Sequence, residues 1–343
     1  MKMLFFIFCS ILPIWIFADL AKFSVVVLSE DNLMPIEGVQ MQANFWENNG
    51  WQAWTQAPRV EVDRQITDKN GFCKFRGKTN CGNVCCFVAI PPSGFYVGDS
   101  WGTDFKSKNI FGVWQPDNLV VTLRLQRVQQ PIPLFVKQLY CRGSDSVSSN
   151  YFDIGKGLMK FDLKKGDWLP PVGKGEYADI CFTRLEREDL GMGTTFRGSI
   201  KIPAYQDRML VEFLGEGNGL IEIPSKKTDG IKIRTAPLDG YKATYLVTKG
   251  KDKNVKYFTS SNPDRNFAFR IRTKKDADGT IVSAYYGKIY GDIVIKKPYG
   301  VEEFVAAPSF MYYLNPMPLD RNLEWDMKNN LCIDPGSLSE PMP

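Results

Sequence analysis

Ile36-Glu-Gly-Val-Gln-Met-Gln-Ala-Asn-Phe45 is the stretch on which the fold turns. From Val39 onward its residues alternate: Val39, Met41 and Ala43 fall on one side, Gln40, Gln42 and Asn44 on the other. A period of two belongs to a half-buried β-strand. Before it, Phe23-Ser-Val-Val-Val-Leu28 reads as a first strand, closed by a polar turn from Glu30 to Pro35. After it, Glu47-Asn-Asn-Gly50 signals a turn and Arg59 to Ile66 alternates again. Thr67-Asp-Lys-Asn-Gly71 is a second turn, since Asn-Gly tolerates positive φ. Phe72 to Arg76, Val84 to Ile90 and Asn118 to Leu125 complete the set, with no helical pattern between them. Short strands at this spacing predict an all-β sandwich. Its expected core is Val25, Val27, Val39, Met41, Val60, Val62, Cys73, Phe75 and Val88.

The second half changes rhythm. Gln129 to Leu134, with Pro131 and Pro133, reads as a linker. Strands are expected at Ala178–Arg184, Gly198–Pro203, Asp207–Phe213 and Leu220–Pro224. Phe267-Ala-Phe-Arg-Ile-Arg-Thr273 alternates strictly, and Asp276-Ala-Asp-Gly279 turns it into Ile281 to Tyr290. Phe310–Leu314 and Asn322–Asp326 are the last strand candidates. The fold class expected is therefore mainly β: two antiparallel β-sandwich domains after a signal peptide. The boundaries are 1–18 for the signal, 19–128 for the first sandwich, 129–134 for the linker and 135–343 for the second domain.

The order of pieces in the first half resembles a known family. Pro35-Ile-Glu-Gly-Val39 after a strand, then Thr67-Asp-Lys-Asn-Gly-Phe-Cys-Lys-Phe75, then Pro91-Pro-Ser-Gly-Phe-Tyr96, is similar to the carboxypeptidase regulatory-like domain, a transthyretin-like (prealbumin-type) sandwich. The resemblance covers about residues 20 to 128. It implies a non-catalytic accessory fold and no peptidase activity. Two departures stand out: an aromatic insert from Phe45 to Pro58, and Asn80-Cys-Gly-Asn-Val-Cys-Cys86 where a short turn is usual. The remainder resembles the C-terminal part of uncharacterised bacterial secreted proteins, which implies no activity.

Met1 and Lys2 precede an apolar run from Leu4 to Phe17, and Ala18 offers a small residue before Asp19. That is the layout of a secretory signal peptide, too short for a membrane span. No second run approaches membrane length, so no transmembrane segment is expected in the mature chain. The chain contains no histidine, which excludes Ser-His-Asp and Cys-His catalysis and any His-ligated metal. Net charge is only +5, and the basic stretches Lys249–Lys256 and Arg270–Lys275 are interleaved with other residues. They read as solvated hairpin tips, so no nucleic acid is expected.

Of eight cysteines, Cys9 lies in the signal. The others are Cys73, Cys81, Cys85, Cys86, Cys141, Cys181 and Cys332, an odd number for an oxidising compartment. Four clustered thiols suggest zinc, but vicinal Cys85 and Cys86 point to opposite faces of a strand. The preferred reading is a disulfide from Cys81 to Cys85 or Cys86, with no metal and no cofactor. Trp46, Trp51 and Trp54 surround a polar turn and could stack on sugar rings or simply pack. Glu324 and Asp326, two apart in Leu-Glu-Trp-Asp, have the spacing of paired carboxylates on one strand face, and also that of an ordinary solvent face. Asp276-Ala-Asp-Gly279 lacks the distal glutamate of a calcium loop, because position twelve is Gly287. Asp167-Trp168, Gly173-Lys-Gly175 and Asp179 form the densest polar-aromatic segment, without the ending of a phosphate loop.

These readings favour a secreted, non-enzymatic protein that binds a carbohydrate or protein ligand at the cell surface or outside, through Trp46, Trp51 and Trp54. A structural or assembly scaffold is the first alternative. A carboxylate-only glycoside hydrolase is the second.

Overall fold

The computed structural model describes residues 19–47, 59–96, 101–139, 158–194, 200–223, 233–262, 264–296 and 307–334. The expected signal peptide, Trp51, Trp54 and Cys141 lie outside the described residues. Every regular element among the described residues is a β-strand. None is a helix long and apolar enough to cross a membrane. Contacts divide the chain after Val128 into two units.

Unit 1 runs through β1 (Leu20–Ser29), β2 (Gln40–Glu47), β3 (Arg59–Ile66), β4 (Phe72–Lys78), β5 (Asn83–Ile90), β6 (Trp101–Asp104), β7 (Ser107–Lys108), β8 (Trp114–Gln115) and β9 (Leu119–Leu125). One sheet has the order β4-β1-β9, the other β3-β2-β5-β6, and β7 and β8 pair by themselves. The alternation does what it implies. Val25 and Val27 of β1, Val39, Met41 and Ala43 in and beside β2, Cys73 and Phe75 of β4 and Val88 of β5 are all buried in one core. Phe23 stacks on Phe75 with ring centroids 5.2 Å apart. Gly77 is required beside them, because a Cβ there would lie 2.3 Å from the Phe45 ring.

One expectation needs correction. Val60 is half-buried and Val62 is 44% exposed rather than core. Strand β3 is an edge strand, and its register sets Asp63 against Ala43 and Glu61 against Phe45. The face that would meet the core is thus the acidic one. At the rim these carboxylates reach the neighbouring sheet: Arg76 N–H donates to Asp63 Oδ2 at 3.1 Å and Lys78 N–H to Glu61 Oε2 at 2.7 Å. Alternation reveals that a strand has two faces, but not that an edge strand turns its polar one inward. The strand pairings of this unit are antiparallel with one exception. Strands β1 and β9 are parallel neighbours, Phe23 to Ser29 lying against Leu119 to Leu125.

Unit 2 comprises β10 (Ile132–Leu139), β11 (Leu158–Asp162), β12 (Asp167–Trp168), β13 (Ile180–Thr194), β14 (Lys201–Phe213), β15 (Gly219–Ile223), β16 (Thr244–Lys251), β17 (Tyr257–Thr259), β18 (Asn266–Lys275), β19 (Ile281–Lys296), β20 (Ala307–Leu314) and β21 (Trp325–Asn330). They form two six-stranded sheets, β12-β11-β13-β14-β16-β17 and β15-β18-β19-β20-β10-β21. The core between them holds Phe161, Trp168, Phe182, Val211, Phe267, Phe269, Ile271 and Tyr312. Fully burying such side chains contributes about 1.5–3 kcal/mol each. The second sheet is covered on its other face too, which explains Ala268 and Tyr286 packing with Ile233 and Leu323. The stretch read as a linker, 129–134, is a connection only in part, because Ile132 already opens β10. That strand runs parallel to β21, with Ile132 opposite Trp325.

Candidate functional site

In unit 1 the cysteines do not converge. Cys86 is fully buried and pairs across strands with Ala43, Cys85 faces the opposite side beside Asn44, and Cys81 is exposed. The Cys81 thiol donates to the Trp46 carbonyl at 3.2 Å. No bridge joins Cys81 to Cys85 or Cys86, and the six described cysteines are free thiols. The same divergence leaves no four-thiolate pocket. Burial pushes the Cys73 thiol up to about 12, and Cys86 is raised for the same reason. Trp46 is half-buried on the outer face of β2, opposite Val60. Its carbonyl also accepts the Thr79 hydroxyl at 2.6 Å, which ties the end of β2 to the β4–β5 turn.

The paired carboxylates of unit 2 have structural partners. Glu324 is buried, and its carboxylate accepts the Gln129 and Gln130 N–H groups at 2.8 and 2.6 Å. Asp326 caps its own turn through Lys328 and Asn329 N–H, which holds its carboxyl below the usual range despite partial desolvation. Both carboxylates are thus engaged by internal donors. Asp276 caps its hairpin, its Oδ1 accepting Thr280 N–H at 2.8 Å and Asp278 N–H at 3.1 Å. The basic run at 270–275 is not an open patch either, because Arg270 donates to the Gly217 and Leu238 carbonyls.

The richest site was half visible in the sequence. The segment from Asp162 to Asp179 folds over the end of the core, with Trp168 edge-on to Phe161 at 5.0 Å. Asp162 Oδ1 accepts Lys164 and Lys165 N–H, and Oδ2 accepts Glu176 and Tyr177 N–H, at 2.9–3.0 Å. Arg272 reaches in from β18. Its Nε donates to Asp179 Oδ1 at 2.8 Å, and its Nη2 to Asp162 Oδ1 at 2.7 Å and Asp179 Oδ2 at 2.8 Å. Both carboxylates are nearly inaccessible, at 1% and 2%.

One guanidinium serves two carboxylates, so their titrations part. Burial alone would raise Asp162, but its four backbone donors and Arg272 hold it below the ordinary value. Asp179 is raised, chiefly by burial and further by the charge of Asp162. Arg272 itself sits at φ +53°, in the left-handed region, inside an irregularity of the β18–β19 ladder. A non-glycine residue there is strained, and surrounding contacts must hold it. Its guanidinium lies over the Tyr177 ring at 4.6 Å.

Two cavities adjoin this cluster and share Tyr177 and Arg272. One, of about 350 Å³, is bounded by Phe135, Lys164, Glu176 and Cys332. The other, of about 450 Å³, is bounded by Asn218, Thr273, Lys274, Ser283 and Tyr285. Asp179 and the polar-aromatic segment around Asp167 stood out in the sequence. Asp162 and Arg272 did not, because they are 110 residues apart and only the fold brings them together.

No model of a known protein family matches the chain, and no curated protein matches it. Among solved structures, the C-terminal domain of shaft pilin SpaA from Lactobacillus rhamnosus GG is 10% identical, over 32% of this chain and 98% of that one, with a TM-score of 0.22. A streptococcal ancillary pilin is 14% identical, over 69% of this chain and 62% of that one, at 0.22. The Bacillus anthracis TIE protein is 9% identical, over 58% and 29%, again at 0.22. Scores this low carry no argument about fold or function.

Proposed function

We propose that this chain is an exported, non-enzymatic structural component whose two sandwich units carry tension along the chain. One observation supports the reading above the others: in each unit the first and last strands are direct parallel neighbours. In unit 1, β1 and β9 align over seven residue pairs. In unit 2, β10 and β21 are parallel, and side chains reinforce the pairing. Glu324 grips the Gln129 and Gln130 amides, and Asn330 exchanges two hydrogen bonds with the Val136 backbone at 3.0 and 2.8 Å.

Parallel neighbours leave the two chain ends of a unit at opposite ends of the pair. A pull along the chain therefore loads all their hydrogen bonds at once, in shear, instead of peeling them one by one. Such geometry slows forced unfolding, which is governed by the unfolding rate. The apolar run from Leu4 to Phe17 supports export. Saturation of Glu324, Asp326, Asp162 and Asp179 by internal donors speaks for structure over acid–base chemistry.

Single-molecule pulling tests the reading. Handles at Asp19 and Arg127 load β1 against β9 in shear, whereas handles at Asp19 and Asp117 peel the same pair from one end. The shear pair should rupture at clearly higher force. Equal forces in the two geometries would remove the tension reading.

A further inference from the structure

The groove at Tyr177 and Arg272 does nothing for tension, and its construction is that of a receptor. Arg272 spends Nε and Nη2 on Asp162 and Asp179, while Nη1 has no partner among the described residues. Its side chain keeps 20% exposure and borders both cavities. A guanidinium locked by two buried carboxylates, on a backbone held at positive φ, presents its remaining N–H donors in a fixed direction. Pre-organised donors lose little entropy when a ligand arrives.

Around that donor the charges are unequal. Lys165 is paired with Glu176 at 2.9 Å. Lys274 is exposed and unpaired among the described residues, and Lys164 lies over the Tyr285 ring at 4.7 Å. Four cations (Lys164, Lys165, Arg272 and Lys274) face three carboxylates (Asp162, Glu176 and Asp179) along the two cavities, so the lining keeps one net positive charge, and Lys164 and Lys274 are the cations without a carboxylate partner among the described residues. Tyr177 is 61% exposed, although one ring face is covered by Arg272. Ser283 and Thr273 line the same cavity as this ring and bring hydroxyl groups to it. Flat rings beside hydrogen-bonding groups suit the C–H face of a pyranose, and both cavities have the size of small-ligand pockets.

We infer that this groove binds a saccharide carrying an anionic group, carboxylate or sulfate, with the sugar ring on Tyr177 and the anion between Arg272 Nη1 and Lys274. This goes beyond the tension-bearing reading and does not depend on it: a scaffold with such a groove is also an adhesive or cell-wall-holding one.

The test is titration calorimetry on the whole exported chain. Probes are an oligogalacturonate, a sulfated galactan oligomer, a neutral galactan oligomer of equal length, and polyglutamate. Binding to either anionic saccharide, with the neutral one at least about tenfold weaker, supports the assignment and identifies the anion. Lys274→Gln alters an exposed side chain outside the clamp, whereas Tyr177→Ala also removes the ring beneath the Arg272 guanidinium and is compared with Tyr177→Phe, which keeps that ring. Lys274→Gln and Tyr177→Ala should each weaken binding about tenfold or more, the scale of losing a hot-spot contact, with an unchanged melting curve in Lys274→Gln and full binding in Tyr177→Phe. No binding to either anionic saccharide would overturn the proposal, as would equal binding of the neutral oligomer. Polyglutamate bound as tightly as the saccharides would replace the sugar with an acidic peptide. Full affinity in both Lys274→Gln and Tyr177→Ala would move the ligand elsewhere. None of these results bears on rupture force, so the two proposals fail separately.

Discussion

Replacing Arg272 probes the clamp directly, and two substitutions separate its charge from its strain. Arg272→Ala strands two carboxylates that are 1% and 2% accessible. Removing one partner of a buried ion pair costs about 3–5 kcal/mol, a large part of the 5–15 kcal/mol that holds a typical domain together. Alanine also inherits φ +53°, where an L-residue is worse off than glycine by about 1–2 kcal/mol. Arg272→Gly loses the same charge but relieves the backbone. It should therefore be more stable than Arg272→Ala by about 1 kcal/mol, reversing the usual penalty for glycine in a strand. Hydrogen exchange read by mass spectrometry reports unit 2 separately from unit 1. Amides of β13 and β18 that exchange only on global opening should speed up by about two to four orders of magnitude in Arg272→Ala, at 1.36 kcal/mol per decade. An Arg272→Ala chain within about 1 kcal/mol of the parent would refute the clamp. A glycine variant less stable than the alanine variant would refute the strain.

The two carboxylates should respond differently. Because Asp162 titrates low in the fold, its contribution is complete above the unfolded value of about 3.9 and fades as pH falls through the folded one. The deficit of Asp162→Asn at neutral pH should therefore shrink in acid, as read from urea midpoints. Asp179 titrates high in the fold, so its ionisation costs stability as pH rises, and Asp179→Asn should be the milder change at neutral pH; the opposite order would mean that Arg272 favours Asp179. Gly77→Ala drives a methyl into the Phe45 ring and should cost about 1–3 kcal/mol or more, seen as faster hydrogen exchange of the β1 and β4 amides. Iodoacetamide should label Cys81 in the native protein. Cys73 and Cys86, buried and raised, should be protected until unit 1 unfolds.

Strand alternation made much of the fold legible. Val39 to Ala43 and Phe267 to Ile271 enter cores on the sides their periods imply. What alternation lacks is neighbourhood. It does not mark β3 as an edge, so it sets Val60 and Val62 inside, where the structure leaves them half-buried and exposed. It also missed the parallel pairing of β1 with β9, since nothing local encodes which distant strand lies alongside. The long arm of β13 beyond Arg184 alternates weakly and carries Gly191 and Gly193, so its strand character comes from pairing with β14. For the candidate site, local density pointed to Asp167–Asp179, while Arg272 looked like one more basic residue of a hairpin. Glu324 was noticed for its spacing to Asp326, yet its work is done on Gln129 and Gln130, across the whole length of unit 2.

The acidic rim of β3 also bears on how this protein avoids itself. A chain folds among many identical copies, and an open strand edge recruits a second copy by offering unpaired amides. On β4, two amides of that edge, those of Arg76 and Lys78, are already taken by Asp63 and Glu61 of the same molecule. An incoming strand must first displace two carboxylates and then lie alongside their charge. The inward turn of the acidic face of β3, which leaves its valines outward, thus also closes part of the β4 edge to a second copy.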